Sequence, residues 1–195
     1  MSTIRSFIPG VSVHVVQRGN NRMTVFQKPA DFATFLVILR HAAGHFPLAV
    51  HGFALMTTHV HLMVTPDEPN AIPKMMQAIG LKYVRYYNRS YERTGTLWNG
   101  RYRAKIIDDA AYSLTCLRYV DRNPVNAKIV ATPEEYRWSS YLANGFGEWP
   151  NWLTPHPDYL ALGGTVEDRA SAYRQLCAVE IDEVQVAALR CDDDD

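Results

Sequence analysis

The stretch Met56-Thr57-Thr58-His59-Val60-His61-Leu62-Met63-Val64 decides how this chain folds, because it sets two histidines two residues apart among apolar and β-branched residues. Side chains alternate between the two faces of a β-strand, so His59 and His61 are predicted to present two imidazoles side by side. The apolar residues of the stretch would fill the opposite face. Two imidazoles on a rigid strand supply two ligands of a divalent-metal site, which then needs a third.

Length and composition favour one globular domain that carries a smaller appendage. The chain has 195 residues, of which 47% are hydrophobic, and this is enough to bury a sizeable core. No run of 18 apolar residues and no signal peptide are recognisable, so no membrane association is predicted. The three cysteines are scattered and form no C-x-x-C pair, which indicates a reducing compartment and excludes a cysteine-based metal site.

The net charge of zero conceals two halves of opposite sign. Residues 1–130 carry 16 lysines and arginines against 7 acidic residues, whereas residues 131–195 carry 4 against 13 and end in four aspartates. One interpretation is a polyanion-binding body with an acidic appendage. The alternative is a solvated surface followed by an acidic tail, and charge alone does not separate the two.

Hydrophobic periodicity predicts the element order β-α-β-β-α-β-α, followed by further helices. This order predicts an α+β fold, a small antiparallel sheet with helices on one face, and a C-terminal helical extension. We expect a domain at residues 1–145, the extension at 146–188 and a disordered acidic tail at 189–195. The predicted strands are Val11–Arg18, Leu48–Met56, His59–Thr65 and Tyr102–Ile107, and the predicted helices are Pro29–His45, Pro69–Arg93, Ala110–Arg122 (ended by Pro124), Glu134–Asn144 and one or two within Tyr159–Glu180.

The third predicted helix offers candidates for the missing ligand and for a reactive group. Tyr119 and Asn123 are four residues apart, so both project from one helix face. The Asn123 amide could complete a site with His59 and His61, and the Tyr119 hydroxyl could reach a group that the metal polarises. Two imidazoles and an amide with open positions suit Mg²⁺ or Mn²⁺.

Several blocks of the sequence, taken in order, resemble a known family. His59-Val60-His61 is similar to the HUH motif (histidine, hydrophobic residue, histidine) of single-tyrosine nucleases. Residues 95–102 (GTLWNGRY), 119–125 (YVDRNPV) and 136–141 (YRWSSY), together with 15–22 (VVQRGNNR) and 51–56 (HGFALM), resemble insertion-sequence-200-like transposases and, among them, the REP-associated tyrosine transposases. The resemblance covers roughly residues 8–145.

This resemblance implies a ferredoxin-like or RRM-like HUH fold and a specific chemistry. Enzymes of the family cut single-stranded DNA beside a hairpin, leaving a 5′-phosphotyrosine link and a free 3′-hydroxyl that can rejoin strands. By position, Tyr119 matches the nucleophile, His59 and His61 match two metal ligands, and Asn123 matches the third. The predicted cofactor is Mg²⁺ or Mn²⁺, and no phosphate-binding glycine loop for a nucleotide is recognisable. The implied protein is cytoplasmic, nucleoid-associated, and a monomer or homodimer.

Basic and aromatic residues alternate in the second predicted helix and the loop that follows it. Cations for phosphates and flat rings for unstacked bases are typical of a site for single-stranded or hairpin DNA. Two arginines beside the first turn of the chain are weaker candidates. The complete predicted DNA-binding set is Arg18, Arg22, Lys82, Arg85, Arg89, Arg93, Trp98, Arg101, Tyr102, Arg103 and Lys105.

Alternatives remain at the level of residues and of function. Tyr112, on the same helix as Tyr119, is the rival nucleophile, and His14 and His51 are interpreted as core or surface residues rather than ligands. The chain could also be a non-catalytic binder of structured single-stranded nucleic acid. A third reading is a metal-dependent phosphoesterase that uses water as its nucleophile and forms no tyrosine adduct.

Overall fold

The computed structural model describes residues 6–189, apart from the side chains at 110 and 111. Its centre is a four-stranded antiparallel sheet in which the strands lie in the order β2-β3-β1-β4. This confirms the predicted sheet and the α+β class. The strands are β1 (Ser12–Arg18), β2 (Leu48–Met56), β3 (His59–Pro66) and β4 (Arg103–Ile107).

The first three helices agree with the sequence pattern except near their ends, but the prediction of one helix over Glu134–Asn144 is wrong, because a 3₁₀ turn at Pro133–Glu135 is separated from a helix that begins only at Tyr141. α2 stops at Ser90 rather than Arg93, and α3 continues two residues beyond Pro124. Pro124 removes one backbone donor, but the amide of Ala127 still bonds to the Asn123 carbonyl, so the last turn stays helical. The helices are α1 (Pro29–Ala43), α2 (Ala71–Ser90), α3 (Ala110–Asn126), α4 (Tyr141–Phe146), α5 (Pro157–Leu160), α6 (Val166–Ala178) and α7 (Glu183–Leu189), with short 3₁₀ turns at Asn20–Arg22 and Pro133–Glu135.

A two-residue turn joins β2 to β3 and fixes the register between these two strands. Met56 lies opposite His59 and Ala54 opposite His61, while Arg18 of β1 lies opposite His59 from the other side. Because residues paired across antiparallel strands point to the same face, the two histidines share a face with Ala54 and Met56.

The opposite face of the sheet carries the larger hydrophobic core. Val60, Leu62 and Val64 of β3 pack there with apolar residues of α1 and α2, among them Phe35 and Ile72. The alternation seen in the sequence is therefore real: one set of β3 side chains is core, and the other set faces the histidine side.

The prediction of helices on a single face holds for α1 and α2 only. α3 packs on the histidine face, where Leu117 and Val120 lie in a second apolar cluster with Met63 of β3. A bulge in β2 places Gly52 where an added Cβ would lie 2.9 Å from the Leu117 side chain. Gly52 therefore permits a close approach of helix to sheet that a larger residue would block.

The C-terminal residues pack against α3 rather than extending away from the sheet. Tyr159, Tyr173 and Leu189 are buried in the same apolar cluster as α3. α4 runs across the predicted domain boundary at residue 145, and α7 is a helix that the sequence pattern did not predict. Of the predicted acidic tail, Leu189 is buried at the end of α7, and residues 190–195 lie outside the described residues.

Candidate active site

The two histidines of β3 lie together at the end of the strand that follows the turn. The ring centroids of His59 and His61 are 4.8 Å apart, and the ring planes are nearly perpendicular. His59 is half-buried, and its Nδ1 lies 3.0 Å from the Thr58 hydroxyl. His61 is buried, and burial together with the neighbouring His59 holds the pKa of His61 well below its usual range, so its ring is neutral at pH 7.

A chain of hydrogen bonds, here called the His61 chain, runs from His61 to the C-terminal extension. His61 Nδ1 lies 3.0 Å from His14 Nε2, and His14 Nδ1 lies 3.2 Å from the backbone carbonyl of Leu189. The His14 and His61 rings are stacked, with an interplanar angle of 10°. The far nitrogen of His61, Nε2, is buried and has no hydrogen-bond partner within the described part of the chain.

Tyr119 of α3 approaches both rings of the His61 chain edge-on. Its ring centroid is 5.8 Å from that of His61 and 5.8 Å from that of His14. Tyr119 is 7% exposed, and it belongs to the same chain as the histidines. The rival Tyr112 instead packs against the apolar cluster beneath α3, and burial raises the pKa of its hydroxyl.

Asn123 lies one helical turn beyond Tyr119, as its spacing requires. Its side-chain amide nitrogen donates to the Tyr119 backbone carbonyl at 2.9 Å. This bond fixes the orientation of the amide and leaves its oxygen as the group that could bind a cation. α3 stays helical up to and beyond Pro124, so Asn123 keeps helical geometry and lies one turn after Tyr119.

Asp121 anchors the tyrosine helix from its opposite side, a role that the sequence did not reveal. Its buried carboxylate accepts hydrogen bonds from Ser140, Asn144 and Tyr173, at 2.6, 2.8 and 2.8 Å. Burial raises the pKa of Asp121 to about 6, although the three donors oppose this shift. On a helix, the residue two positions after Tyr119 points away from both Tyr119 and Asn123, so Asp121 lies on the opposite side of α3.

Two arginines of α3 add a second attachment to the extension. Arg118 donates to the Val179 carbonyl at 2.9 Å, and Arg122 donates to the Cys177 carbonyl. The tyrosine helix is therefore held by the sheet on one side and by α4 and α6 on the other.

The donor set fits a cation that accepts nitrogen and oxygen ligands. Within residues 6–189, no three His, Cys, Asp or Glu side chains are grouped so as to hold a metal ion. A site here would therefore depend on the two histidines of β3 and a ligand of another type, such as the Asn123 amide. The unpartnered and buried His61 Nε2 is the observation that favours such a site, because burying a lone pair without a partner costs free energy.

The predicted DNA-binding residues fall into two groups on opposite faces of the sheet. Arg18 pairs with His59 across the sheet, and Arg103 and Lys105 pair with Val16 and His14. By strand alternation these three cations belong to the histidine face. Arg22 is exposed in a left-handed backbone conformation at the turn after β1.

The second group surrounds α2 on the other face of the sheet. Lys82, Arg85 and Arg89 are exposed along the helix, as their spacing predicted. Arg93 is not part of that row, because α2 has ended, and its guanidinium lies over the Tyr87 ring and donates to Asn88. A groove of about 850 Å³ lies between α2 and the segment before β4, and its lining includes Lys74, Arg85, Trp98, Arg101 and Tyr102.

Most of the aromatic rings near the α2 row serve the core. Tyr83 and Tyr87 are fully buried, and their hydroxyls donate to the backbone carbonyls of Val25 and Thr24. Trp98 and Tyr102 are 8% and 6% exposed, so they offer edges in the groove rather than open faces. For Tyr83 and Tyr87 the sequence left packing and base contact as alternatives, and the structure shows packing, because residues that alternate with an exposed row on a helix face inward.

A second histidine cluster, here called the His51 cluster, lies at the other end of the same sheet face. It comprises His51, Thr65, Ser12 and His156, and it ends on the Thr154 carbonyl. Successive contacts measure 2.8 Å from the Thr154 carbonyl to His51, 2.8 Å to Thr65, 2.7 Å to Ser12 and 2.9 Å to His156. Burial lowers the pKa of His51 to about 4.

An antiparallel α+β sheet with an H-x-H strand, opposed by a tyrosine helix of the same chain, defines the class of single-tyrosine HUH proteins by fold and site. The sequence pattern of the family described as "Transposase IS200 like" matches residues 8–123. The chain belongs to this family, the insertion-sequence-200-like transposases, and is a DNA transposase. No curated protein sequence matches the chain.

A solved structure shows the same fold. The chain is similar to a REP-associated tyrosine transposase bound to a REP hairpin, with a TM-score of 0.61, 15% identity, and coverage of 80% of this chain and 93% of that one. It is also similar to a putative transposase from Deinococcus radiodurans, with a TM-score of 0.43, 19% identity, and coverage of 59% and 92%. No helix within residues 6–189 is long and apolar enough to cross a membrane.

Proposed function

We propose that this transposase cleaves and rejoins single-stranded, hairpin-bearing DNA by the route of the REP-associated tyrosine transposases, with Tyr119 as the nucleophile. The observation that carries the proposal is the meeting of Tyr119 with His61, whose Nε2 is buried and unpartnered, within one chain. The match of fold to a REP-associated tyrosine transposase over 80% of this chain supports the same subgroup.

The proposed reaction conserves the phosphodiester bond energy. The Tyr119 oxygen forms a bond to the scissile phosphorus, and the bond from phosphorus to the 3′-oxygen breaks. The tyrosine hydroxyl loses its proton and the leaving 3′-oxygen gains one, so the products are a 5′-phosphotyrosine and a 3′-hydroxyl. Attack on this link by a 3′-hydroxyl reverses the step and rejoins strands, so no nucleotide cofactor is consumed.

His59, His61 and Asn123 would hold a divalent cation, Mg²⁺ or Mn²⁺. When bound, such a cation neutralises charge on the scissile phosphate. The protein's own contribution is to orient the reacting groups. Burial of the Tyr119 ring against the His61 chain restricts its rotation, and the bond from Asn123 to the Tyr119 carbonyl ties the two residues into one turn.

Two basic surfaces support binding of a hairpin together with its single-stranded flank. Arg18, Arg103 and Lys105 share the face of the candidate site and are suited to the strand being cut. Lys82, Arg85 and Arg89 are exposed along α2, Arg85 lines the large groove, and the three are suited to phosphates of the hairpin. Because the histidines and the tyrosine come from one chain, we propose that a single protomer contains a complete site.

The experiment is a denaturing gel that detects a heat-resistant covalent adduct between the protein and a labelled hairpin oligonucleotide in the presence of Mn²⁺. The wild type is expected to form the adduct, and Tyr119→Phe is expected to lose it completely while binding the hairpin within about threefold, since only the hydroxyl is removed. Tyr112→Phe is the matched control on the same helix and should retain the adduct.

Three results would overturn this assignment. An adduct formed by Tyr119→Phe removes Tyr119 as the nucleophile. Cleavage by the wild type without an adduct indicates a water-dependent phosphoesterase, and hairpin binding without any cleavage indicates a binding protein only.

A further inference from the structure

The proposed reaction assigns no role to His14, a buried histidine on the same sheet face as His59 and His61. His14 is 0% exposed on β1, and its two ring nitrogens lie 3.0 Å from His61 Nδ1 and 3.2 Å from the Leu189 carbonyl. His14 is not placed to replace Asn123 as a metal ligand, because its two ring nitrogens already face His61 and the Leu189 carbonyl. Its contacts instead link a candidate metal ligand to the end of α7.

The Leu189 carbonyl sets the direction of hydrogen-bond donation along the His61 chain. A carbonyl oxygen only accepts, so the proton on a neutral His14 resides on Nδ1, and His14 Nε2 is left as an acceptor. His14 Nε2 then accepts from His61 Nδ1–H. A neutral His61 with its proton on Nδ1 carries its lone pair on Nε2, which is the buried nitrogen that has no partner among the described residues.

We propose that His14 is a positioning residue for the metal site, because it holds His61 in the tautomer whose Nε2 can bind a cation and is itself oriented by the Leu189 carbonyl. This inference rests on the proposed function, and it assigns to α7 a part in the site. Histidine ligands commonly donate their second ring nitrogen to an oriented acceptor, and loss of that acceptor typically lowers metal affinity roughly 10–100-fold. Here the acceptor is an imidazole that the C-terminal extension fixes from behind.

The orientation depends on two contacts from different parts of the chain. β1 supplies the His14 ring, which stacks on His61 with centroids 5.2 Å apart. α7 supplies the carbonyl, and the buried Leu189 side chain holds this end of α7 in the apolar cluster under α3. The tautomer of His61 is therefore coupled to the docking of a helix that lies outside the family-matched residues 8–123.

The test compares His14→Leu with His14→Gln in the full chain. Leucine removes the acceptor, whereas the glutamine amide can accept from His61 and donate to Leu189. Mn²⁺ affinity, followed by the electron paramagnetic resonance signal of free Mn²⁺, is expected to fall roughly 10–100-fold in His14→Leu and to stay within about threefold of the wild type in His14→Gln. His51→Leu is the control, since it removes a buried histidine of the same sheet face that is not bonded to His61.

A second measurement reads the tautomer without metal. Two-bond proton–nitrogen spectra of histidine-labelled protein are expected to show His61 protonated on Nδ1 in the wild type and in His14→Gln, with the resonances assigned from a His61→Gln spectrum. A wild-type His61 protonated on Nε2 overturns the proposal, even where His14→Leu fails to fold. Unchanged Mn²⁺ affinity in His14→Leu, or an equal loss in His51→Leu, also overturns it.

The same data separate this proposal from the proposed function. A wild type that does not bind Mn²⁺ contradicts the metal-dependent function as well as this inference. A wild type that binds Mn²⁺ and a His14→Leu variant that binds it equally well contradict the role of His14 alone.

Discussion

The two histidine clusters lie on one face of one sheet and differ in how their nitrogens are satisfied. In the His51 cluster, His51 bonds to Thr154 and Thr65, and His156 bonds to Ser12 and to the Asp158 amide. In the His61 chain the bonds stop at His61, whose Nε2 has no partner in the described residues. Both clusters end on a backbone carbonyl of the C-terminal extension, Thr154 in one and Leu189 in the other.

We interpret this difference as one between a structural cluster and the proposed metal site. A buried polar group that is fully bonded stabilises packing, whereas a buried nitrogen left open costs free energy, which favours the proposed ligand role of His61. The bonds of the His51 cluster can be written with neutral rings and one direction of donation, from the Asp158 amide through His156, Ser12, Thr65 and His51 to Thr154. We therefore interpret that cluster as the attachment of the extension to the sheet.

The largest contrast is expected from removing one histidine of each cluster. His61→Ala should lower metal-dependent cleavage on the order of 10²–10³-fold, because the cation loses a ligand next to the reacting phosphate. His51→Ala should cleave within about threefold of the wild type below its melting temperature, and should instead lose stability. Cleavage rates with Mn²⁺ and urea unfolding of both variants measure the two effects, and equal cleavage by the two variants would remove the contrast.

The next effect concerns acid stability and belongs to the His51 cluster. A histidine with a pKa of about 4 when folded and about 6.5 when unfolded binds protons mainly in the unfolded state. Its contribution is therefore complete above about pH 6.5 and is lost as the pH falls towards 4. Between pH 7.5 and 4.5, the wild type should lose about 2.5 kcal/mol more unfolding free energy than His51→Gln.

That comparison must be made between variants rather than on the wild type alone. Asp121 has a pKa raised to about 6, so its protonation favours the folded state in the same pH range and opposes the effect of His51. Urea unfolding of the wild type and His51→Gln at the two pH values isolates His51. Parallel losses in the two proteins would show that His51 does not titrate as its burial requires.

The smallest effect is expected at the link between Ser12 and its two partners. Ser12→Ala removes the hydroxyl that joins Thr65 to His156 and should lower the unfolding free energy by about 1–2 kcal/mol, since buried partners lose a hydrogen bond. Mn²⁺ affinity and cleavage should not change. Urea unfolding and Mn²⁺ titration of this variant measure the two quantities. A loss of Mn²⁺ affinity would contradict the prediction and show that the two histidine clusters are coupled.

The local pattern of the sequence was sufficient for much of the sheet and for the position of the candidate residues. Alternation in β3 predicted a shared face for His59 and His61, and helical spacing predicted that Tyr119 and Asn123 lie one turn apart. These predictions depend only on the geometry of a strand or a helix over a few residues. The roles of the metal ligands, the nucleophile and the DNA-binding residues stay proposals.

The pattern failed where the outcome depended on partners distant in the chain. Pro124 was expected to end α3, yet the helix continues, because loss of a single donor leaves the Ala127 bond intact. α3 was expected on the same face as α1 and α2, yet it covers the histidine face, where Gly52 leaves room for it.

By itself, the sequence determined that a strand carries two imidazoles on one face and that a helix carries a tyrosine and an asparagine on another, because these relations follow from local backbone geometry. Only the tertiary structure decided that the tyrosine meets His61 of its own chain, that His14 lies behind His61, and that the Leu189 carbonyl gives the bonds their direction. His14 and Leu189 are 175 residues apart. No periodicity encodes such a contact, since it forms only when the extension packs on the sheet.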